Sequence, residues 1–204
     1  MKVWSSKTQM SPGSVVVARV LRSDPHCSDL ACTVSDLFQL FDLPATFSID
    51  EQVLEQRYQA LIAHCHPDRY ASASALEQRV AAKRAADIND AYQILIHPVS
   101  RGRHLLEVAG VDTQALERQP ADPEFLFEQL MRRERVQDFT SLDDDEAAEL
   151  VDDVRHQYHH SATALGTSLD ANDVAVASSR WVELNYHQKL YDELEQTLNR
   201  QVNR

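Results

Sequence analysis

The chain has 204 residues, of which 43% are hydrophobic and 25% are charged, and its formal net charge is −12 at pH 7. Because a phosphate backbone binds basic surfaces, this acidic chain is a poor candidate for a nucleic-acid-binding protein. Its apolar runs fall far short of the roughly 20 residues that a membrane-spanning helix needs. We therefore expect a soluble protein whose partners include neither nucleic acid nor a membrane.

The fold class follows from composition and periodicity. Four glycines provide few hairpin turns, and apolar residues recur at spacings of three and four along most of the chain. Helix-forming Ala, Leu, Glu and Gln are abundant. We predict an all-α protein with one or two domains, since this length supports one core or two small ones.

Residues 1–34 show no steady periodicity, and we predict a poorly ordered extension there. Its first 23 residues contain no Asp or Glu, which fits an organelle transit peptide but fits a dispensable leader equally well. Cys27 and Cys32, with His26 beside them, provide at most three of the four ligands of a structural zinc site. We therefore predict no metal here, and we expect Cys65 to be a small core residue.

Residues 35–110 carry the signals of three helices and a trailing fourth. The first ends before Pro44, and the second begins at Ser48 or Asp50, where Ser48 and Glu51 have capping-box spacing. The third begins at a capping box formed by Ser74 and Glu77 and is limited by Pro98, and the fourth spans 99–108 before Gly110. We expect the second and third helices to pair antiparallel, with the first lying across them.

We predict a linker at residues 111–121 and a three-helix bundle at residues 122–204. Asp122 and Pro123 form a cap and a first-turn proline, Ser141 is expected to cap the next helix, and the last is expected to begin near Asp170. Residues 111–204 hold 20 acidic and 9 basic side chains, a net charge of −11, whereas residues 35–110 hold 10 and 7, a net charge of −3. This contrast indicates that the two halves meet different partners.

The tripeptide His66-Pro67-Asp68 lies between the two helices of the predicted hairpin. Pro67 fixes its own φ and moves His66 out of helical geometry, so a polar imidazole and a carboxylate are held on a stiff, exposed corner. Such a corner loses little entropy on binding and offers charge-assisted hydrogen bonds. It favours recognition by a partner, although a simple helix stop uses the same residue types.

In this position the tripeptide resembles the signature of the J-domain family. The resemblance implies that residues 35–110 are a J-domain with a trailing short helix, which docks on a seventy-kilodalton heat-shock chaperone and triggers its ATP hydrolysis. The chaperone-binding residues that it implies are His66, Pro67, Asp68, Arg69, Arg57 and His64. J-domains usually have a more basic second helix than this one, and Arg69, Lys83 and Arg84 are the cations that can compensate.

The resemblance is closest to the HscB branch, the iron-sulfur co-chaperones, and extends from about Asp36 to the C-terminus. It is carried by the segments 36–38, 43–44, 66–72, 88–92, 95–98 with Arg101, and 124–130. It implies a co-chaperone for the maturation of iron-sulfur proteins that acts with an HscA-like chaperone and delivers an IscU-like scaffold protein. A bacterial cytoplasmic location is expected, with the mitochondrial matrix as the alternative.

In the HscB branch the C-terminal bundle binds the scaffold protein through an apolar patch on its first helix, with help from the last helix. By motif match, the scaffold-binding residues are Leu126, Phe127, Leu130, Met131, Glu134, Asp138 and Tyr186. Phe125, Leu126 and Phe127 together span about 200° of a helix, so we expect part of this apolar surface to remain exposed. A wide core-facing surface is the alternative.

Two other classes of function remain open. A general J-protein would present unfolded clients rather than one scaffold. A metal-dependent enzyme would need the histidine clusters, and His156 and His160 have i, i+4 spacing, but no third ligand or H-E-x-x-H signature accompanies them. We therefore predict that the chain is not an enzyme and has no catalytic residues, no metal and no cofactor.

Overall fold

A computed structural model describes residues 34–119 and 121–202, except for the side chains of residues 34–36, 67, 68 and 202. The predicted extension, with Cys27 and Cys32, lies outside the described residues apart from the backbone of Val34. Within the described ranges every regular element is a helix, which confirms the all-α prediction. None of these helices is both long enough and apolar enough to cross a membrane.

The described chain forms eight α-helices and two short 3₁₀ helices. The α-helices are α1 (Val34–Leu40), α2 (Glu51–Cys65), α3 (Ala75–Ile96), α4 (Pro98–Val108), α5 (Thr113–Arg118), α6 (Pro123–Gln137), α7 (Asp144–Asp170) and α8 (Val174–Val202). The 3₁₀ helices are Pro67–Tyr70 and Phe139–Ser141.

The N-terminal half is a hairpin of α2 and α3 with α1 packed against α3 and α4. Polar pairs cross the hairpin: the Tyr58 hydroxyl donates to Asn89 (2.9 Å), and the Tyr92 hydroxyl donates to Glu55 (2.5 Å). Since position 55 pairs with 92 and position 58 with 89, the two helices are antiparallel, as predicted. Buried residues from all three helices and from the turn after α1 form the core, among them Phe38, Phe41, Leu54, Ile88 and Leu95.

Aspartates cap the helices where the sequence also offered serines. The Asp50 carboxylate accepts the amides of Gln52 and Val53, so Asp50 is the N-cap of α2 and the Ser48 capping box is wrong. The expected cap at Ser141 is wrong as well, because Asp143 caps α7 and forms a capping box with Glu146. A carboxylate is a charge-assisted acceptor for the first amides of a helix, and it stabilises the positive end of the helix dipole.

Other predicted helix ends are found where the sequence placed them. Ser74 and Glu77 form the predicted capping box of α3, and Asp122 caps α6 before its first-turn proline. Gly110 follows α4 with a φ of 85°, the left-handed conformation that glycine adopts without strain. The expected start of α8 at Asp170 is wrong, since α7 runs to Asp170 and the chain turns through Asn172 before α8.

The segment predicted as a linker is not simply extended. It contains α5, whose N-cap is Asp112, and Thr113 is buried with its hydroxyl donating to Glu107 of α4 (2.7 Å). This helix fixes the path of the chain between α4 and α6. Short helices with little apolar surface are hard to predict, because tertiary contacts rather than propensity stabilise them.

Phe47, in the loop before α2, joins the hairpin to the C-terminal bundle. Its ring is buried in a cluster drawn from both halves of the chain, with Leu106, Leu165, Ala177, Trp181 and Leu184. A Cβ on Gly166 would lie 2.9 Å from the Phe47 ring, and a Cβ on Gly102 would lie 2.8 Å from Leu165 and 3.2 Å from Trp181. The two glycines therefore leave the space that this close packing requires.

Arg101 completes the junction from α4. Its guanidinium lies over the Phe47 ring, 5.0 Å from the centroid, and donates to the carbonyl oxygen of Leu95. Burial lowers the pKa of Arg101 below its ordinary value, because the charged guanidinium has lost water. The Trp181 indole, on the bundle side, donates to the carbonyl oxygen of Val99 (2.9 Å). Polar contacts thus fix the register of α4 against both halves.

A buried polar trio joins the three long helices of the bundle. His187 of α8 lies 2.8 Å from the Ser161 hydroxyl of α7 through Nδ1, and 3.0 Å from the Gln129 amide of α6 through Nε2. The Ser161 hydroxyl donates to the Gln157 carbonyl (2.6 Å), so the neutral ring that donates from Nδ1 and accepts at Nε2 matches both of its contacts, whereas the buried Oε1 of Gln129 has no hydrogen-bond partner among the described residues. The trio sets the position of α6 on the other two helices.

Burial, with a further contribution from the charge of Arg132, lowers the pKa of His187 below the ordinary value of 6.5. The carboxylates of Glu183 and Asp153 act in the opposite direction, and His160 adds to the lowering. The folded protein therefore keeps His187 neutral at a pH where the unfolded chain takes up a proton.

We predict that the junction can be detected by a double-mutant cycle. Gly166→Ala should lower the free energy of unfolding by about 1–3 kcal/mol through overpacking against Phe47, although alanine is otherwise the better helix former by about 0.5–1 kcal/mol. In a Phe47→Leu background the same substitution should be neutral or stabilising, because Phe47 supplies every close contact. Urea unfolding of the four variants measures the coupling, and equal effects of Gly166→Ala in both backgrounds would contradict it.

We also predict that acid weakens the bundle through His187. Because the pKa of His187 is lower in the folded than in the unfolded state, unfolding takes up a proton below about pH 6.5, and the free energy of unfolding falls as the pH falls. Urea unfolding between pH 7.5 and 5.5 should show a shallower pH dependence for His187→Gln than for the natural chain. His159→Gln, which removes an exposed histidine, is the control and should keep the natural slope.

Candidate functional site

The predicted corner lies at the end of the hairpin. α2 ends at Cys65, and His66 has a φ of −59° and a ψ of 132°, outside helical geometry, immediately before the 3₁₀ helix Pro67–Tyr70. The His66 side chain is exposed, whereas the side chains of Pro67 and Asp68 lie outside the described residues. The break at His66 is the geometry that a following proline imposes. The binding role of the tripeptide stays a prediction.

Hydrogen bonds tie this turn to α3. The Gln78 amide donates to the carbonyl oxygens of Tyr70 (3.1 Å) and Ala73 (3.2 Å), and the amide of Arg69 donates to the carbonyl oxygen of His66 (3.0 Å). The Ser74 capping box fixes the first turn of α3 directly after it. The corner is therefore largely preorganised, which lowers the entropy cost of binding a partner.

Arg57, a predicted chaperone-binding residue, has an internal role in this structure. Its guanidinium donates to the carbonyl oxygens of Phe41 and Asp42 and forms an ion pair with the Asp42 carboxylate (3.0 Å). Asp42 has a φ of 51°, a left-handed conformation that costs free energy in a residue other than glycine. Arg57 thus stabilises the loop between α1 and α2.

The other two cationic candidates differ in exposure. His64 is half-buried, and its Nδ1 lies 2.7 Å from the carbonyl oxygen of Ala60 in its own helix. Arg69 is exposed beside the turn and makes one long contact, 3.5 Å, with the carbonyl oxygen of Ala63. Of the predicted cations, Arg69 is the best placed to meet a partner.

The second candidate surface lies on α6. Phe127, Leu130 and Met131 are 63%, 53% and 46% exposed, which confirms that part of this apolar segment remains at the surface. Phe125 turns inward, with its ring edge against Tyr186 at 5.6 Å and against His187 at the same distance. The adjacent apolar residues are therefore divided between the bundle and solvent.

A groove of about 490 Å³ lies between α6 and α8, beside these exposed residues. Its lining is Leu126, Gln129, Leu130, Arg133, Tyr186, Lys189, Leu190 and Glu193. Arg133 pairs with Glu193 across it (2.9 Å), and the Lys189 ammonium lies 5.6 Å from the centroid of the Tyr186 ring. Three leucines and Tyr186 give the groove its apolar surface, and Gln129, Arg133, Lys189 and Glu193 give it polar and charged surface on both walls.

The structure brings three of the seven predicted scaffold-binding residues into this groove, namely Leu126, Leu130 and Tyr186. Phe127 and Met131 are exposed on the same helix, and Glu134 and Asp138 are exposed near its C-terminal end. The sequence reasoning missed the wall formed by α8 beyond Tyr186. Leu190 and Glu193 follow Tyr186 at offsets of four and seven, the spacing of one helical face, and this signal was available.

His156 and His160 stack on α7, with ring centroids 6.0 Å apart. Among the described residues, no group of three or more His, Cys, Asp or Glu side chains is arranged to hold a metal ion.

The family model, the sequence relatives and the solved structures that match this chain all carry the name HscB. The family described as the HSCB C-terminal oligomerisation domain matches residues 121–195. The Co-chaperone protein HscB homolog of Bordetella petrii is 41% identical over 166 residues, covering 78% of this chain and 94% of the relative. The Co-chaperone protein HscB homolog of Neisseria meningitidis serogroup B is 35% identical over 166 residues, covering 81% and 100%.

Solved structures agree with these sequence relatives. The chaperone HscB from Vibrio cholerae has a TM-score of 0.71 at 32% identity, over 80% of this chain and 98% of that chain. The human co-chaperone protein HscB has a TM-score of 0.72 over 96% of this chain, and at 23% identity it supports the fold alone. A relative that is 41% identical and is matched over nearly its whole length shows that the two proteins belong to the same family. The chain belongs to the HscB family of co-chaperones.

Proposed function

We propose that this protein is an adaptor in the maturation of iron-sulfur proteins. Its hairpin stimulates the ATPase of an HscA-like seventy-kilodalton chaperone, and its C-terminal bundle delivers an IscU-like scaffold protein to that chaperone. The observation that carries this proposal is the exposed apolar segment of α6 beside the groove. The same chain carries a preorganised corner at His66, at the end of the α2–α3 hairpin.

Exposure on α6 supports a protein partner. Phe127, Leu130 and Met131 are three of the seven large hydrophobic side chains that are exposed among the described residues, and they lie within five positions of one helix. Exposed apolar residues that cluster beside a groove are typical of protein-binding surfaces, where a few large side chains contribute most of the binding free energy. The groove suits insertion of an apolar side chain between Leu126 and Tyr186.

The hairpin supports an activator rather than an enzyme. The His66 side chain is exposed, and the turn that follows it is braced by Gln78. In this proposal the nucleotide hydrolysis takes place in the chaperone. The family relatives are named co-chaperones, which is consistent with this division of labour.

The junction at Phe47 supports the adaptor mechanism. A buried cluster shared by the two halves restrains their relative motion, so a scaffold held at α6 is presented at a defined place relative to the His66 corner. Holding two proteins on one adaptor raises their effective concentration for each other without any new contact between them. Relatives from Bordetella and Neisseria support a bacterial cytoplasmic location as part of this proposal.

The proposal predicts that His66→Gln abolishes stimulation of the chaperone ATPase. Binding of the scaffold and the helical circular dichroism should be unchanged, because His66 is exposed and lies far along the chain from α6. His159→Gln, another exposed histidine, should stimulate like the natural chain. Full stimulation by His66→Gln would remove the hairpin from the mechanism, and loss of helical signal would give His66 a structural role instead.

The proposal also predicts separate loss of scaffold binding. Phe127→Ala with Leu130→Ala should weaken binding of a folded iron-sulfur scaffold by about 2 kcal/mol or more, at least a twentyfold rise in Kd. Stimulation of the chaperone ATPase without scaffold should remain. Isothermal titration calorimetry measures the Kd, and Val108→Ala with Val176→Ala, two residues of similar exposure elsewhere, is the matched control. Binding to denatured proteins only would favour a general J-protein.

A further inference from the structure

The first three turns of α3 present an exposed face that the hairpin does not bury. Leu76 is 72% exposed and Val80 is 47% exposed, and the two residues are four positions apart. The residues of α3 that pack into the core are Ala81, Ile88, Ala91 and Leu95. Leu76 and Val80 are therefore the apolar part of a surface rather than of the core.

Three cations lie on the same face. Relative to Leu76, Arg79 is at offset three, Lys83 at seven and Arg84 at eight, and with Val80 at four these offsets define one side of an α-helix. All three cations are exposed, and among the described residues none of them forms a hydrogen bond or an ion pair. We call Leu76, Arg79, Val80, Lys83 and Arg84 the α3 face.

The α3 face is a basic stretch in an acidic chain, and the exposed Asp87, at offset eleven on the same side of α3, marks its C-terminal limit. The nearby carboxylate of Glu77 is occupied by the capping box with Ser74, whose hydroxyl and amide hold its pKa below the ordinary value. Elsewhere, arginines are mostly paired, as in Arg132 with Asp153 and Arg155 with Glu195. Unpaired cations around two exposed apolar side chains are complementary to an acidic surface that has an apolar centre.

α2 does not offer an equivalent surface. Arg57 is engaged with the loop at Asp42, His64 contacts its own helix, and the remaining charges of α2 are Glu51 and Glu55. The positive charge that the hairpin presents to a partner is therefore located on α3 and at Arg69.

The α3 face begins close to the His66 corner, because the first turn of α3 contacts the chain just after the tripeptide. Gln78, in the first turn of α3, donates to the carbonyl oxygens of the turn that follows the tripeptide, and Arg69 is exposed on that turn. Leu76 lies in the same turn of α3 as Gln78, so a partner that covers the corner and the N-terminal end of α3 can reach both surfaces. This proximity favours one extended interface over two independent ones.

We propose that the α3 face is the charged half of the chaperone-docking surface, and that it binds an acidic surface with an apolar centre on the ATPase that the His66 corner engages. This inference rests on the proposed function. It assigns to α3 the electrostatic attraction that a basic second helix would otherwise supply. Because such attraction acts mainly on association, the α3 face controls the concentration of this protein at which stimulation is half-maximal.

The test is the ATPase rate of the chaperone against the concentration of the full chain. Lys83→Glu with Arg84→Glu should raise the half-maximal concentration at least tenfold, while a saturating concentration restores the maximal rate. Leu76→Ser with Val80→Ser should shift the curve in the same direction. Added salt should raise the half-maximal concentration of the natural chain much more than that of the charge-reversal variant. His66→Gln should instead lower the maximal rate.

The matched control is Arg118→Glu with Arg200→Glu, which makes the same change in net charge at two exposed positions outside the hairpin. It should behave like the natural chain. If the natural chain stimulates the ATPase and the α3 variants have the same half-maximal concentration, the inference is wrong while the proposed function stands. If the natural chain does not stimulate the ATPase, the proposed function itself is wrong. Light scattering that shows a dimer lost only in the α3 variants, with stimulation unchanged, would make the face a self-contact and overturn the inference.

Discussion

The packing of the Phe47 ring against Gly102 and Gly166 is the contact on which the architecture depends. It brings a loop of the hairpin into the core of the bundle, where Trp181 and Leu165 surround it. Side chains in protein cores pack at crystal-like density, so a junction of this kind has a defined geometry. The guanidinium of Arg101 and the indole of Trp181 add directional contacts that set the orientation of α4. The hairpin and the bundle are thereby held in one frame.

Within that frame, each half leaves a different kind of surface unburied. The bundle buries the polar trio around His187 and packs the half-buried Phe125 against it, and it leaves Phe127 and Leu130 beside a groove. The hairpin buries one side of α3 and leaves Arg79, Lys83 and Arg84 exposed in the first three turns of the helix. An apolar surface on an acidic bundle and a basic surface on the hairpin suit two partners of different chemistry. The division of charge along the chain is thus expressed as two separate surfaces.

Local sequence predicted the elements better than the use of individual side chains. The capping box at Ser74, the cap at Asp122 and the break at His66 depend on neighbours a few residues away, and all three are present. Where several polar residues compete to cap one helix, as before α2 and α7, the choice depends on backbone dihedral angles that the sequence does not display. α5 was missed because tertiary contacts with α4, rather than the helix propensity of its own residues, stabilise it.

The sequence by itself determined the all-α class, the order of the main helices, the exposed corner at His66 and the surplus of apolar residues on α6. Only the tertiary structure decided that Arg57 stabilises a left-handed Asp42, that Tyr186 shares a groove with Leu126, and that Phe47 is the residue for which Gly166 leaves room. The physical reason is the distance along the chain over which each interaction acts. Capping and helical periodicity act over three or four residues, whereas ion pairs, grooves and packing join residues far apart in the chain, whose meeting only the folded chain specifies.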